Sequence, residues 1–585
     1  MQLATLATLL SLQAAAAAGT QQLCGGACSD GMVLDRLNAT LWIVGAAPGA
    51  KFTATVKKGA AQVGAPVSSR AGADGLWVAS LGAQAPGVGY SVAVTATDGS
   101  PVATLSDVAF GDVLLCSGQS NMEYGLASIV GAKAILAEAN TLGAGVRILR
   151  VDHLSSPNST VDTLSWDHDW AGNKVPCKDR CGGPWSRMSS ANASFSAVCY
   201  LTGKNVYQAL QQKVPIGLVE AAWGGTRIEA WQSPASLATC PGTGTAKCGP
   251  CLGKGRQRQG LGQACARMNS SNSGNLCSCN YNGMLRPIRK MKFKSMLWYQ
   301  GESNTDSFQG TLPGPANYAC RMKAAVQDWR NLLGDAALPF FNVELAACNN
   351  YPNAADNAKT WAYIRQASRS FMALPGINGF ITMIDGGIHG GAVHSNEKQP
   401  DGLRMSRQLL QKVYGQNDVN GADGPTLLAA PAKSSGHLVL SFRGAAALHT
   451  APTSAFDTVG SKLGCKESPF EVGYSDGTWL RAAPVIAGTK VTLALAPAPK
   501  QPTEVRYVWQ GFPQCALYSG TSGNFSSATA MPAAPFRVAL GACATTQKVC
   551  SLGQGVSIGA YVASQCCAAH EVCVPSGGCQ DPTGQ

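Results

Sequence analysis

The chain has 585 residues, 13% of them charged, and a formal net charge of +12. That length allows two to four domains and a large enzyme core. The positive charge is dispersed. Its densest run, "RPIRKMKFK" at Arg286 to Lys294, stands before an apolar strand with no groove-reading or aromatic element beside it, which argues against a nucleic-acid partner.

Residues 1–19, within "MQLATLATLLSLQAAAAAGT", form an uncharged apolar run ending in small residues and read as a signal peptide, although the usual n-region Lys or Arg is missing. No later stretch reaches the roughly 18 uninterrupted apolar residues of a membrane span, so a soluble mature protein without a membrane partner is expected. Twenty-two cysteines fit an oxidising compartment, where they would pair as disulfides. The expectation is a secreted or lumenal protein, a lysosome or vacuole included. Sequons at Asn38, Asn158, Asn192, Asn269 and Asn524 would carry glycans on that route.

From 24 to 108, short β-type runs such as "ATLWIVG", "KFTATVKKG" and "YSVAVTATDG" are punctuated by Gly, Pro and Asp, and predict a small β-sandwich. From 109 to 420 the pattern alternates: "DVLLCS", "LASIVGAKAILAEAN", "IGLVEAAWGG", "KSMLWYQGES", "CRMKAAVQDWRNLLG", "PFFNVELAA". Strands alternating with amphipathic helices predict a parallel sheet covered by helices, an α/β core. Two segments inside it, Ser155 to Arg187 and 239–279, read as insertions rich in Gly, Ser and Cys. The β pattern returns over 424–540, and 541–585 is a cysteine-rich tail, which composition alone allows as a small stapled module with a carbohydrate-binding role.

A hydroxyl nucleophile needs exposure, a base for its proton and donors for the oxyanion it creates. "GDVLLCSGQSNM" runs an apolar strand into a polar turn at Ser120, where open α/β sheets bind ligands; a helix is expected to begin near Tyr124. An ordinary strand-to-helix turn remains the plain alternative. "AAWGGTRIEAW" places Gly224 and Gly225 at a second strand end, able to offer a backbone NH. "LWYQGESN" gathers Gln300, Glu302 and Asn304 at a third. Among seven histidines, His389 and His394 share a glycine-rich loop before a helix, whereas His153, His168, His437, His449 and His570 suit surface or satisfied-core roles.

These motifs, with "YNGML" before the third and "VHSNEKQPDGLRMS" around the histidine, stand in the order seen in the sialate O-acetylesterases, and over roughly Ser29 to Val538 the chain resembles that family. It belongs to the SGNH hydrolases and is related to acetylxylan esterases. The resemblance implies a flavodoxin-like, three-layer α/β/α core. It also implies removal of acetyl groups from the hydroxyls of O-acetylated sialic acid or another acetylated glycan, through a covalent acetyl-enzyme and with no metal or organic cofactor. Ser120 matches the family's nucleophile and His394 its histidine, since Lys398 and Gln399 follow at the family's spacing. The glycines of "WGGT" match its second motif, with Gly225 preferred to Gly224 as the oxyanion donor, joined by Gln300 or Asn304.

One departure is plain: the aspartate that many SGNH enzymes carry two or three residues before the histidine is here Ala392 or Gly391. Something must still orient the imidazole. Glu302 is the leading candidate, by analogy with the "QGE" glutamate of acetylxylan esterases; Asp385 and a backbone carbonyl are the others. A catalytically weak carbohydrate-binding protein of the same fold is the rival reading, with the missing aspartate as a mark of decay. "CGPC" at Cys248 to Cys251 copies a redox motif in a glycine-rich setting that favours structural disulfides over a redox or zinc site, and Cys116 reads as a small buried hydrophobe.

Overall fold

The computed structural model describes residues 21–156, 159–164, 182–240, 276–305, 315–348, 354–387, 392–417, 422–428, 430–452, 465, 467–520 and 530–540, with four short strands between 547 and 580. The signal-peptide reading, "CGPC" and His389 lie outside them.

The N-terminal β run forms as its alternation predicts. Strand β1 (Ala39–Val44) pairs with β4 (Trp77–Gly82), and β2 (Lys51–Lys58) lies between β3 (Ala61–Arg70) and β5 (Gly87–Ala96), burying Phe52, Ala54 and Val56 at every second position. The chain then enters β6 (Pro101–Gly118). Its first half pairs antiparallel with β5; from Val108 onward every residue is buried, because the strand has become the middle of a second, parallel array. The expected boundary between 108 and 109 therefore falls inside one continuous strand.

After β6 come the four-residue helix α1 (Ser120–Glu123), helix α2 (Ala132–Thr141), strands β7 (Val146–Arg150) and β8 (Gly183–Arg187), helix α3 (Ala197–Ala209) and strand β9 (Ile216–Ala222). Next are β10 (Ser295–Tyr299), α4 (Pro315–Leu333), β11 (Phe340–Glu344), β12 (Asn378–Thr382) and α5 (Gln399–Lys412). The helix expected near Tyr124 is thus displaced. α1 starts on the serine itself and stops at Glu123, and the longer helix forms only after Gly131, whose φ of +79° closes off the preceding segment.

The sheet runs β8-β7-β9-β6-β10-β11-β12, parallel except for β8 at the edge. Counting the parallel strands from β6, the order is 2-3-1-4-5-6, so the third strand stands where a flavodoxin-type order would put the second beside the first. Connections leave β6 to one side and later return to the other. A crevice must open at its carboxyl end, immediately before Ser120.

Burial on both faces explains the unbroken apolar reading of these strands. Val113 and Leu115 join Trp298, Trp329 and Met322 of α4 in one cluster; Leu114 and Cys116 join Leu297, Tyr200 of α3 and Met405 of α5 in another. Trp298 meets Trp231 edge-on at 5.9 Å and Trp329 at 4.5 Å, pairs worth about 0.5–1.5 kcal/mol each beyond area burial.

Cys116 corrects the sequence reading: it is fully buried, but it is bonded to Cys199 of α3. Its neighbour across the helix–sheet layer could not be read from a strand's own sequence. Disulfides Cys24–Cys28, Cys240–Cys320 and Cys465–Cys515 are also present, the second tying the start of the 239–279 insertion to α4. The C-terminal β region packs its own cluster, including Leu438, Leu440, Phe442, Phe470 and Tyr507, and is fastened to the core by Arg365, which donates to Gln510 O at 2.8 Å. The tail contains two short antiparallel pairs, Gln547–Cys550 with Gln565–Ala568 and Val572–Cys573 with Cys579–Gln580. No helix among the described residues is long and apolar enough to cross a membrane.

Candidate active site

Register brings the three polar turns together. Gly118 lies level with Ala222 of β9 on one side and Tyr299 of β10 on the other, so the segments that follow all emerge at one height. Gly118 itself has φ +141°, and a Cβ there would fall 2.1 Å from Tyr299 O; only glycine lets the chain turn this close to its neighbour. The turn is then pinned: Gln119 N donates to Tyr299 O at 2.9 Å, and Gln119 Oε1 accepts from Ser303 N at 3.2 Å.

Ser120, half-buried, follows with its Oγ 2.7 Å from His394 Nε2. A nucleophile and base in hydrogen-bond contact is the first requirement of hydroxyl catalysis. Burial, with the Lys398 charge as the second cause, holds the His394 pKa below its usual value, which favours the neutral imidazole that can accept a proton.

The expected partner of that imidazole is placed differently. Glu302 is buried, and its Oε1 accepts from Asn121 Nδ2 at 2.6 Å; among the described residues His394 makes no hydrogen bond to any carboxylate or carbonyl. Asp385 is committed elsewhere, bidentate to Arg404 at 2.7 Å through each oxygen and accepting from Tyr518 OH at 2.9 Å. Asp385 is ion-paired to buried Arg404, whereas burial pushes the Glu302 carboxyl up, opposed by the Asn121 hydrogen bond and by the charge of Lys398, which donates to Asn121 Oδ1 at 2.7 Å.

The expected oxyanion donors are placed in different surroundings. Gly224 N donates to Glu123 Oε2 at 2.7 Å, because Glu123 stands three residues after Ser120 on α1 and its other oxygen faces Arg150 and His153. That NH is occupied. Gly225 has φ +74° and only open space where a side chain would start. Gln300 is fully buried; its Nε2 serves Asn304 Oδ1 (2.7 Å), Thr226 O and Gln119 Oε1 (3.1 Å each), and its Oε1 accepts from Tyr318 OH at 2.7 Å. It is a pin between two strand ends. Half-buried Asn304 spends one amide hydrogen on Glu229 at 2.9 Å, and its Oδ1 accepts from Ile228 N at 3.1 Å.

Sequence reasoning gave Asn121 and Glu123 no role and used Lys398 only to single out the histidine. Asn121 adjoins the serine and Lys398 follows the histidine by four, so proximity in the chain was the available signal. His153 is buried and stacks on Trp223 at 4.4 Å, in keeping with the core role expected of it.

Residues 110–399 match the family model "Carbohydrate esterase, sialic acid-specific acetylesterase", a span that includes both Ser120 and His394. The human and mouse sialate O-acetylesterases are each 28% identical to the chain, over 532 and 552 residues, covering 86% and 85% of it and 90% of their own lengths. The chain is similar to the sialate O-acetylesterases along most of its length. It also resembles the crystal structure of a carbohydrate acetylesterase from Xanthomonas citri, with a TM-score of 0.67 and 27% identity over 88% of this chain and 98% of that one. That likeness extends well beyond 110–399 and takes in flanking β regions.

Proposed function

We propose that the protein is a carbohydrate O-acetylesterase, acting on O-acetylated sialic acid or another acetylated glycan through a serine acetyl-enzyme. The observation that carries it is the 2.7 Å contact between Ser120 Oγ and His394 Nε2 at the switch point of the parallel sheet, in a chain similar to the sialate O-acetylesterases. Ser120 Oγ attacks the acetyl carbonyl while His394 takes its proton. The oxyanion is received by the NH of Ser120 and of Gly225, with the second amide hydrogen of Asn304 as a further donor; removing one such donor typically costs about 2.7–4 kcal/mol. His394 then protonates the departing sugar oxygen, and water repeats the sequence on the acetyl-serine. All of this proceeds on the chain's own residues.

The core fits an SGNH-type three-layer reading, with helices α3 and α5 serving one buried cluster and α4 the other. The same proposal divides the chain into a signal at 1–19, β regions at 24–108 and 424–540, the hydrolase core at 109–420 and a cysteine-rich tail, for a secreted or lumenal protein. Disulfides support that location.

Acetate release should be measured on 9-O-acetyl sialic acid, acetylated xylan and acetylated pectin, with Ser120→Ala as control. Turnover of at least one substrate, lost in the variant, is expected. No release from any of them, with wild type and Ser120→Ala alike, would sink the reading in favour of a binding protein of the same fold.

A further inference from the structure

Three groups beneath the serine and histidine form one buried unit. Asn121 Nδ2 donates to Glu302 Oε1 at 2.6 Å and to Val393 O at 3.0 Å, and Asn121 Oδ1 accepts from Lys398 Nζ at 2.7 Å. The orientation of that amide is dictated by its partners. Turned over, it would set its oxygen against a carboxylate and a carbonyl and its NH2 against an ammonium. Asn121 adjoins Ser120, and Val393 adjoins His394. A single amide therefore ties the neighbour of the nucleophile to the neighbour of the base.

We infer that Lys398, Asn121 and Glu302 are positioning residues that hold the His394 loop against Ser120, and that Glu302 acts through Asn121 rather than on the imidazole. The inference rests on the esterase reading above. Lys398 and Glu302 are each 1% exposed, and a buried charge is tolerated only where it is paired and hydrogen-bonded. Lys398 meets that condition with Asn121 Oδ1 and with the faces of Tyr299 and Tyr124 at 5.1 and 5.8 Å; burial lowers its pKa, and the charges of Asp401 and Glu302 oppose that lowering. Glu302 meets it with less: Oε2 has no hydrogen-bond partner among the described residues, and Oε1 has Asn121. A triad acid must reach the imidazole NH, whereas this carboxylate is directed to the amide that carries the loop. Lys398 immediately precedes α5, so the same unit anchors the far side of the His394 segment to a helix packed in the core. The arrangement supplies from beneath the constraint that an aspartate close before the histidine would supply from within the loop.

The deciding variant is Glu302→Gln, which keeps an acceptor oxygen for Asn121 and removes the charge. Steady-state hydrolysis of 4-nitrophenyl acetate and of an acetylated sugar by the full chain gives kcat and KM; thermal melting checks the fold. Glu302→Gln should keep kcat within about 10-fold of wild type, whereas Asn121→Ala and Glu302→Ala should each lose about 100-fold or more in kcat with KM nearly unchanged, as expected when a transition-state geometry is lost. Because the residues act as one unit, Asn121→Ala/Glu302→Ala should fall no further than Asn121→Ala alone. A loss of about 1,000-fold or more in Glu302→Gln, as for removal of an orienting triad acid, or losses that multiply in the double variant, would overturn the inference. Should the alanine variants fail to fold, Glu302→Gln still decides. Failure of the esterase reading is distinct, since wild type would then turn over nothing. Labelling of Ser120 by a fluorophosphonate probe then gives the same ranking of variants, and its rate falling equally in Glu302→Gln and Glu302→Ala would count against the unit.

Discussion

Ser120 stands at the end of a strand bonded along both edges, level with two neighbours and turned by a glycine at which a Cβ would have no room. His394 stands on a loop, held by Asn121 to Val393 O and by Lys398 at the head of α5. The serine side is built by backbone and register, the histidine side by side chains. A sheet fixes a nucleophile cheaply in sequence terms, because a short motif suffices; a base brought by a loop needs several scattered residues to hold it still. Damage to the first should therefore appear as loss of fold or of all activity, and damage to the second as graded kinetic loss.

The largest effect belongs to the serine side. Ser120→Ala should reduce kcat by about 10⁴-fold or more at unchanged melting temperature, read by acetate release and calorimetry. Gly118→Ala attacks the same side through the backbone. With φ +141° and Tyr299 O at 2.1 Å from the new Cβ, it should destabilise by about 3 kcal/mol or abolish soluble expression; near-normal stability in a denaturant titration would show that register is not what holds the serine.

The histidine side should respond in pH rather than in fold. Lys398 lowers the His394 pKa, so Lys398→Met removes a positive charge and raises it; the base must be neutral, and the acid limb of the kcat/KM profile should move to higher pH. His394 is faced also by Ser120 Oγ and by the Tyr124 ring, which Lys398 itself overlies, so thermal melting and the Ser120→Ala background should be compared alongside the profile. An acid limb that stays put or moves to lower pH would mean that the ammonium does not act on the base.

The smallest effect lies behind the site. Burial pushes the Glu220 pKa up to about 7 despite Arg150 beside it. A carboxyl with a raised folded pKa lends stability at low pH and loses it as pH climbs from its unfolded value through the folded one. Replacing it with Gln, which resembles the protonated form, should make the variant gain on wild type by about 1 kcal/mol or more between pH 5 and pH 8 in chemical denaturation, since each pKa unit is worth about 1.4 kcal/mol. An equal difference at both pH values would refute that.

Much of this was legible in the sequence, and the pattern of misses is physical. Apolar runs ending in "SGQSN", "WGGT" and "YQGESN" marked three parallel strand ends, because burial on both faces and a polar turn leave local traces. Ser120 and His394 could be paired from motif and order. The partners of Glu302, Gly224 and Gln300 could not, since a carboxylate or amide at a strand end reads the same whether it faces a substrate or a neighbouring turn. Cys116 failed for a related reason: a disulfide across a helix–sheet layer joins residues 83 apart in the chain.

That bond also bears on how the site breathes. Cys199 sits on α3, whose N-cap Ser196 donates its hydroxyl to Met122 O within α1, so the strand before the serine and the turn after it are both attached to one helix. Opening the nucleophile turn must drag α3 with it. Amide hydrogens from Gly118 to Met122 and along α3 should then exchange as one cooperative unit, at a free energy well above that of a surface loop.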